Sequence, residues 1–244
     1  MFRAKLPRLH ELKNCFGAAT PPDGYFQNFE HNLASSEHIR TIYQGWEQTL
    51  ASLDASAWEY IKAEAAPRLK VRDGRGRGWE QLFDILNEAR AYRYLKQVGS
   101  TNLRFIPRSD KRTPDLGGSL KSHPILCEVK TINVSDNEVA VRTGAPKGRV
   151  LPMVLSVGFF KKLRNDIEDA KQQMATHDPG ALHYVYLNVL FDDFFGEYKE
   201  TYFGQIDQHL ASAPVTGVRI IVSNESTAFY APLKMISATV DNIG

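Results

Sequence analysis

The chain predicts an α/β fold, and three observations predict it. An amphipathic helical pattern runs from Trp79 to Val98, an alternating strand-turn-strand pattern from Thr113 to Asn133, and a helix-then-strand succession occupies Ser156–Ala175 and Leu182–Phe191. Helices and strands interleaved in this way imply a sheet with helices packed against it. With 244 residues and 43% apolar content, the chain can bury a substantial core as one domain plus an appendage.

The first part of the chain reads differently. Met1 to Gly24 is expected to be irregular, with Thr20-Pro21-Pro22-Asp23-Gly24 as a cluster of breakers. Ser35 or Ser36 then caps a helical stretch that runs to about Ala66, broken near Asp54. Ile39, Ile42, Tyr43, Trp46, Leu50 and Leu53 form one apolar stripe along it. These helices are expected to pack on the core or on a second subunit, with Trp46 and Trp58 offering surface for a homodimer. The predicted division is therefore an N-terminal helical segment over 1–75 and a second domain over 76–244.

In the Trp79–Val98 helix, Leu82, Phe83, Leu86, Ala89 and Leu95 recur at helical spacing. Glu88 falls inside that stripe, with Ile85 three residues before it and Tyr92 four after. A carboxylate on a buried stripe is costly unless a cation or hydrogen-bond donors satisfy it. An edge position, with Arg90, Tyr92 or water as partner, is the alternative. A strand is expected next, over Leu103–Pro107.

The segment Thr113–Asn133 (TPDLGGSLKSHPILCEVKTIN) carries the chemistry. Twelve residues separate Asp115 from Glu128, about what two short antiparallel strands and a tight turn near Leu120–His123 require. Asp115 and Glu128 then sit opposite one another, with Cβ atoms roughly 5 Å apart. Lys130, two residues beyond Glu128, shares its face, while Ile125, Cys127 and Val129 take the other. A charged face turned to a cleft and an apolar face turned inward are expected. A Glu-x-Lys on its own reads equally well as a solvated edge strand.

Downstream, Phe159, Phe160, Leu163, Ile167, Ala170 and Met174 form the apolar side of the Ser156–Ala175 helix. Ser156 is its expected N-cap, Asp178-Pro179-Gly180 its stop, and Lys161, Lys162 and Gln173 its candidate cleft residues. Leu182–Phe191 reads as a central strand, followed by Asp192 and Asp193 as turn-forming acids. A helix over Glu197–Ala211 and a strand over Val215–Ser223 extend the sheet. Thr227–Gly244 carries no recognisable chemistry.

With a helix bearing Glu88, a strand, Pro114-Asp115, Glu128-Val129-Lys130, then a helix and a strand, the region Trp79–Asp193 resembles the PD-(D/E)XK nuclease superfamily. The resemblance implies a restriction-endonuclease-like α-β-β-β-α-β core, with a mixed central sheet flanked by helices and the N-terminal helices as an appendage. It implies Asp115 and Glu128 as metal-binding acids, Lys130 as the residue that orients or activates the attacking water, and Glu88 as an additional acid. Mg2+ is the expected cofactor, with Mn2+ as a substitute, and the backbone carbonyl of Val129 is a further candidate ligand. The implied activity is hydrolysis of DNA phosphodiester bonds, most simply as an endonuclease.

Basic residues gather near these elements. Arg72, Arg75 and Arg77 crowd a Gly-rich loop, Arg108, Lys111 and Arg112 lead into Asp115, and Arg142, Lys147 and Arg149 follow the Glu128 strand. They are candidates for contact with nucleic-acid phosphates. The formal net charge of +2 is too small to imply polyanion binding by itself. Two other readings stay open: a nuclease-like domain that binds nucleic acid or a protein without cutting, and an unrelated α/β domain with a structural ion-pair cluster. Cys15 and Cys127 are expected as free thiols in a reducing compartment, too few for a thiolate zinc site. The N-terminus lacks an apolar signal core and no segment approaches the roughly 20 apolar residues of a membrane span, so a cytoplasmic location is expected.

Overall fold

The structure, a computed structural model, describes residues 5–15, 24–70, 79–109, 112–133, 135, 153–191 and 198–224. Its described residues form two compact units. The first takes residues up to Gly99 together with Leu103–Phe105; the second takes Ser100–Asn102 and Ile106–Asn224.

The first unit is helical. Its helices are α1 (Pro7–Asn14), α2 (Phe29–Ser35), α3 (Glu37–Ala51), α4 (Ala55–Ala65), extended by a 3-10 turn over Ala66–Lys70, and α5 (Glu80–Gln97). Helix α1 corrects the expectation of an irregular start. Its first residues have no side-chain cap of their own. Instead Glu47 of α3 accepts from the backbone N–H groups of Arg8 at 3.1 Å and Leu9 at 3.0 Å. An acid at a helix N-terminus both satisfies orphan donors and meets the positive end of the dipole. That acid comes from distant sequence, so the only local sign of the helix start is Pro7 at its first position.

Helices α3 and α4 begin where local chemistry says they should. Ser36 accepts from Ile39 N–H and opens α3. Asp54 accepts from Ala57 N–H at 2.9 Å and opens α4, which explains the break near that residue. The expected dimer surface at Trp46 and Trp58 is corrected: they are 2% and 1% exposed and belong to the unit's core. The Arg90 guanidinium lies 3.8 Å from the centroid of the Trp46 ring, a cation-π contact in a desolvated setting.

Helix α5 is tied to the α3–α4 junction by polar contacts. Tyr92 donates to Asp54 Oδ2 at 2.8 Å, Lys96 to the Ser52 carbonyl at 2.7 Å and Arg93 to Thr49 Oγ1 at 3.2 Å. Bonds from Ala57 N–H first, then from Tyr92 and Ser56, hold the Asp54 carboxyl below its ordinary value of 3.8. A depressed folded pKa adds stability above the unfolded value, lost as pH falls through the folded one. Asp54→Ala is therefore expected to lower stability by about 1 kcal/mol at neutral pH. In urea titrations the gap to the parent chain should close as pH drops below about 4. A gap that persists in acid would refute this role of the ionised carboxylate.

The second unit holds the sheet. Its elements are β1 (Thr101–Phe105), shared with the first unit, β2 (Leu116–Leu120), β3 (His123–Ile132), α6 (Val157–His177), β4 (Leu182–Val189), α7 (Lys199–Ser212) and β5 (Arg219–Ser223). The five strands lie in the order β1-β2-β3-β4-β5. β2 and β3 are antiparallel, whereas β3–β4 and β4–β5 are parallel, so the fold is α/β with a mixed sheet and helices against it. Parallel neighbours need crossovers, which α6 and α7 supply. Strand β1 lies two residues earlier than expected, its register shown by buried Leu103 and Phe105 beside exposed Asn102 and Arg104.

Leu163, Ile167, Ala170 and Met174 of α6 and Tyr202, Phe203, Ile206 and Leu210 of α7 form one core with Leu126, Ile132, Val185, Leu187, Val189, Ile220 and Val222. By strand alternation, Glu128 and Lys130 lie on the same side of β3 as Leu126 and Ile132. The expected split into an inward apolar face and a charged open face is thus corrected. Both faces of β3 are buried over Ile125–Glu128, as central parallel strands require, and the charged pair interrupts an otherwise apolar helix-covered face. Among the described residues no helix is long and apolar enough to cross a membrane.

The β2–β3 turn is Lys121-Ser122, with φ of 48° and 69°. Leu120 pairs with His123 across it, so this is a two-residue hairpin whose dihedral signs match a type I′ turn. Neither residue favours positive φ. Replacing Lys121 by Asn and Ser122 by Gly is expected to raise stability by about 1 kcal/mol, read as a higher thermal midpoint. An unchanged or lower midpoint would contradict the turn geometry.

Candidate active site

The hairpin register places Asp115 and Glu128. Leu116 pairs with Cys127, so the next position back on one strand, Asp115, faces the next position on the other, Glu128. The carbonyl of Asp115 accepts from Ile106 N–H at 2.9 Å, which fixes its backbone ahead of β2. Beyond Leu116 strand β2 no longer pairs with β3, leaving the Val129 N–H without a ladder partner. Asp115 Oδ2 takes its place, accepting from Val129 N–H at 2.7 Å. In return the Asp115 backbone N–H donates to the Glu128 carboxylate. Asp115 is thus held by the Val129 N–H and Glu128 by the Asp115 N–H, so each acid is tied to the backbone of the opposite segment.

Glu128 is the centre of the cluster. Only 4% of it is exposed. Lys130 Nζ donates to Oε1 at 2.6 Å, and Gln173 Nε2 donates to Oε2 at 2.8 Å. Gln173 also donates to the Thr113 carbonyl at 2.7 Å, so one amide joins α6 to Glu128 and to the segment two residues ahead of Asp115. Burial raises the Glu128 carboxyl above its ordinary value of 4.5, against the opposing effects of Lys130, Gln173 and the Asp115 N–H. Burial likewise pushes the neighbouring Cys127 thiol well above its usual range, so it is inert as a nucleophile.

The structure therefore brings together Asp115, Glu128, Lys130, Gln173 and, through its N–H, Val129. Glu88 belongs to the first unit, where it is buried on α5 at 4% exposure and has partners. Its link to the other acids rests on the resemblance alone. Arg108 and Arg112 are exposed on the segment that leads to Asp115. Arg72, Arg75, Arg77, Lys111, Arg142, Lys147 and Arg149 lie outside the described residues, as do Asp192, Asp193 and Thr227–Gly244. On α6, Lys161 is exposed and Lys162 pairs with Asp166 at 2.9 Å, so Gln173 is the residue of that helix that reaches the acids.

Two contributors had no signal as clear as the acids. The Thr113 carbonyl is a backbone group and invisible to residue type. Gln173 had a readable cue, since it sits beside buried Met174 and one turn from buried Ala170, at the rim of the apolar stripe. Among the described residues no group of three or more His, Cys, Asp and Glu side chains is placed to hold a metal ion. Two carboxylates against one ammonium nevertheless leave a net negative charge when both acids are ionised. Their hard oxygens suit Mg2+, which keeps several waters and commonly takes only one or two protein carboxylates. The residues present fit such an ion.

Gln173→Ala removes both bonds and leaves a carbonyl and a buried carboxylate less satisfied. Stability is expected to fall by about 1–3 kcal/mol, measured by urea denaturation, and a neutral result would show the bridge to be incidental. No family model, curated protein or solved structure matches the chain.

Proposed function

We propose that the second unit carries a metal-dependent nuclease site of PD-(D/E)XK type, acting on nucleic-acid phosphodiester bonds and most simply as a DNA endonuclease. The finer fold reading, a restriction-endonuclease-like core, is part of the same proposal. The order of α5, β1, β2, β3, α6 and β4 supports it, as does the mixed sheet in which β3 runs antiparallel to β2 and parallel to β4. The observation that carries it is the convergence of the Asp115 N–H, Lys130 and Gln173 on the Glu128 carboxylate at the hairpin's open end, where the Asp115 carboxylate faces Glu128 across the strands. A cytoplasmic location fits such an activity.

Each residue has a role that follows from its chemistry. Asp115 and Glu128 supply hard oxygen ligands for Mg2+ or Mn2+, with the Val129 carbonyl as a further candidate. The bound ion would supply Lewis acidity and lower the pKa of a water. Lys130 brings positive charge to the place where the nucleophile and the phosphate meet. Gln173 and the Asp115 N–H hold Glu128 in one orientation, so reactants meet a preset geometry. Arg108 and Arg112 are exposed and suited to phosphate contacts that carry no sequence information.

A second reading, a nuclease-fold domain that binds nucleic acid or a protein without cutting, draws on one observation. Both Glu128 oxygens are already engaged, one by Lys130 and one by Gln173. Incubation of the purified chain with plasmid and single-stranded DNA, with Mg2+, Mn2+ or a chelator, separates the two readings. Cleavage that needs the ion and falls at least about a hundredfold in Glu128→Ala and Lys130→Ala is expected. Cleavage that survives both substitutions, or none under any condition, would overturn the nuclease reading.

A further inference from the structure

We propose that Lys130 is the site's internal counter-ion: its ammonium occupies the Glu128 oxygen that a divalent cation needs, and the two compete for it. The inference rests on the metal-dependent reading above and adds to it a second task for Lys130.

The geometry carries the argument. Lys130 Nζ lies 2.6 Å from Glu128 Oε1, and the two side chains are 28% and 5% exposed. The acid is thus sunk into the fold while the ammonium stands at its mouth. Among the described residues, Glu128 is the one hydrogen-bonding and ion-pairing partner of Lys130. Among the described residues, every other donor to Glu128 is fixed. The Asp115 N–H is held by the hairpin, and Gln173 is anchored both by its bond to Thr113 and by α6, whose Ala170 and Met174 are fully buried. Lys130 alone has a long, partly exposed stem with freedom to swing away.

A buried carboxylate without a cation is strongly unfavourable, so Glu128 needs one whether or not metal is present. Lys130 meets that need in the structure. A divalent ion brought to the same oxygen would lie within a few ångströms of the ammonium, where like charges repel strongly in a partly desolvated site. Binding of the ion and retention of the Lys130–Glu128 pair therefore oppose one another. The ammonium displaced from Glu128 is left free at the mouth of the site, where a phosphate would arrive. One lysine would then neutralise the idle site and serve the loaded one.

Titration of Mn2+ into the full-length chain, followed by the electron paramagnetic resonance of the free ion, tests this directly. A neighbouring charge shifts a carboxylate's proton affinity by about 1–3 pKa units. Lys130→Met is accordingly expected to bind Mn2+ about tenfold more tightly than the parent. Lys130→Arg should bind like the parent, and Glu128→Gln should lose the site. Binding by the parent that Lys130→Met leaves unchanged or weakens overturns the counter-ion role while leaving the metal reading intact. No binding by either chain overturns both. Should Lys130→Met fail to fold, the parent itself suffices: the Lys130 side-chain resonance, identified by its loss in Lys130→Arg, should move on Mg2+ addition. An unmoved resonance under saturating Mg2+ overturns the proposal.

Discussion

The second unit depends on one constraint: a glutamate placed in the middle of a buried strand must be fully satisfied. Glu128 stands on β3, on a face it shares with Leu126, Lys130 and Ile132 and that α6 covers. In that setting a carboxylate that lost its partners would cost several kcal/mol. The fold meets the requirement from three directions, with the Asp115 N–H, the Lys130 ammonium and the Gln173 amide. The N–H comes from the hairpin, the ammonium from the strand and the amide from the helix, so the acid ties all three into one arrangement.

The same requirement explains why the hairpin ends where it does. Strand β2 stops short of the acids, and Asp115 substitutes for the missing ladder by bonding the Val129 N–H with its side chain. A longer β2 would have consumed that N–H with a carbonyl and left Asp115 no reason to turn toward β3. Strand termination and site formation are therefore a single structural event. The tight Lys121-Ser122 turn sets the register that makes it work, since a slip of one residue would send Glu128 to the opposite face.

The first unit obeys the same rule with different chemistry. Glu47 caps a helix whose own sequence offers no cap, and Asp54 both opens α4 and receives the Tyr92 hydroxyl from α5. Acids at helix starts here connect elements as well as ending them. The aromatic groups fill the spaces between: Tyr60, Phe105 and Tyr92 stack in sequence, with centroids 4.9 Å and 5.6 Å apart. Trp46 and Trp58, which look like partner-seeking residues in the sequence, are consumed by this packing.

Local pattern was sufficient wherever a signal and its consequence lay within a few residues. The caps at Ser36 and Ser156, the break near Asp54, the hairpin spacing from Asp115 to Glu128, and the central apolar strand β4 were all legible, because the chain's own periodicity and turn chemistry determine them. Tertiary structure alone decided the rest. Helix α1 depends on an acid from α3, the Glu128 face of β3 is buried because α6 lies on it, and the reach of Gln173 to both Thr113 and Glu128 spans up to 60 residues. Such contacts are set by which surfaces meet, and a linear pattern of residue types holds no record of that meeting.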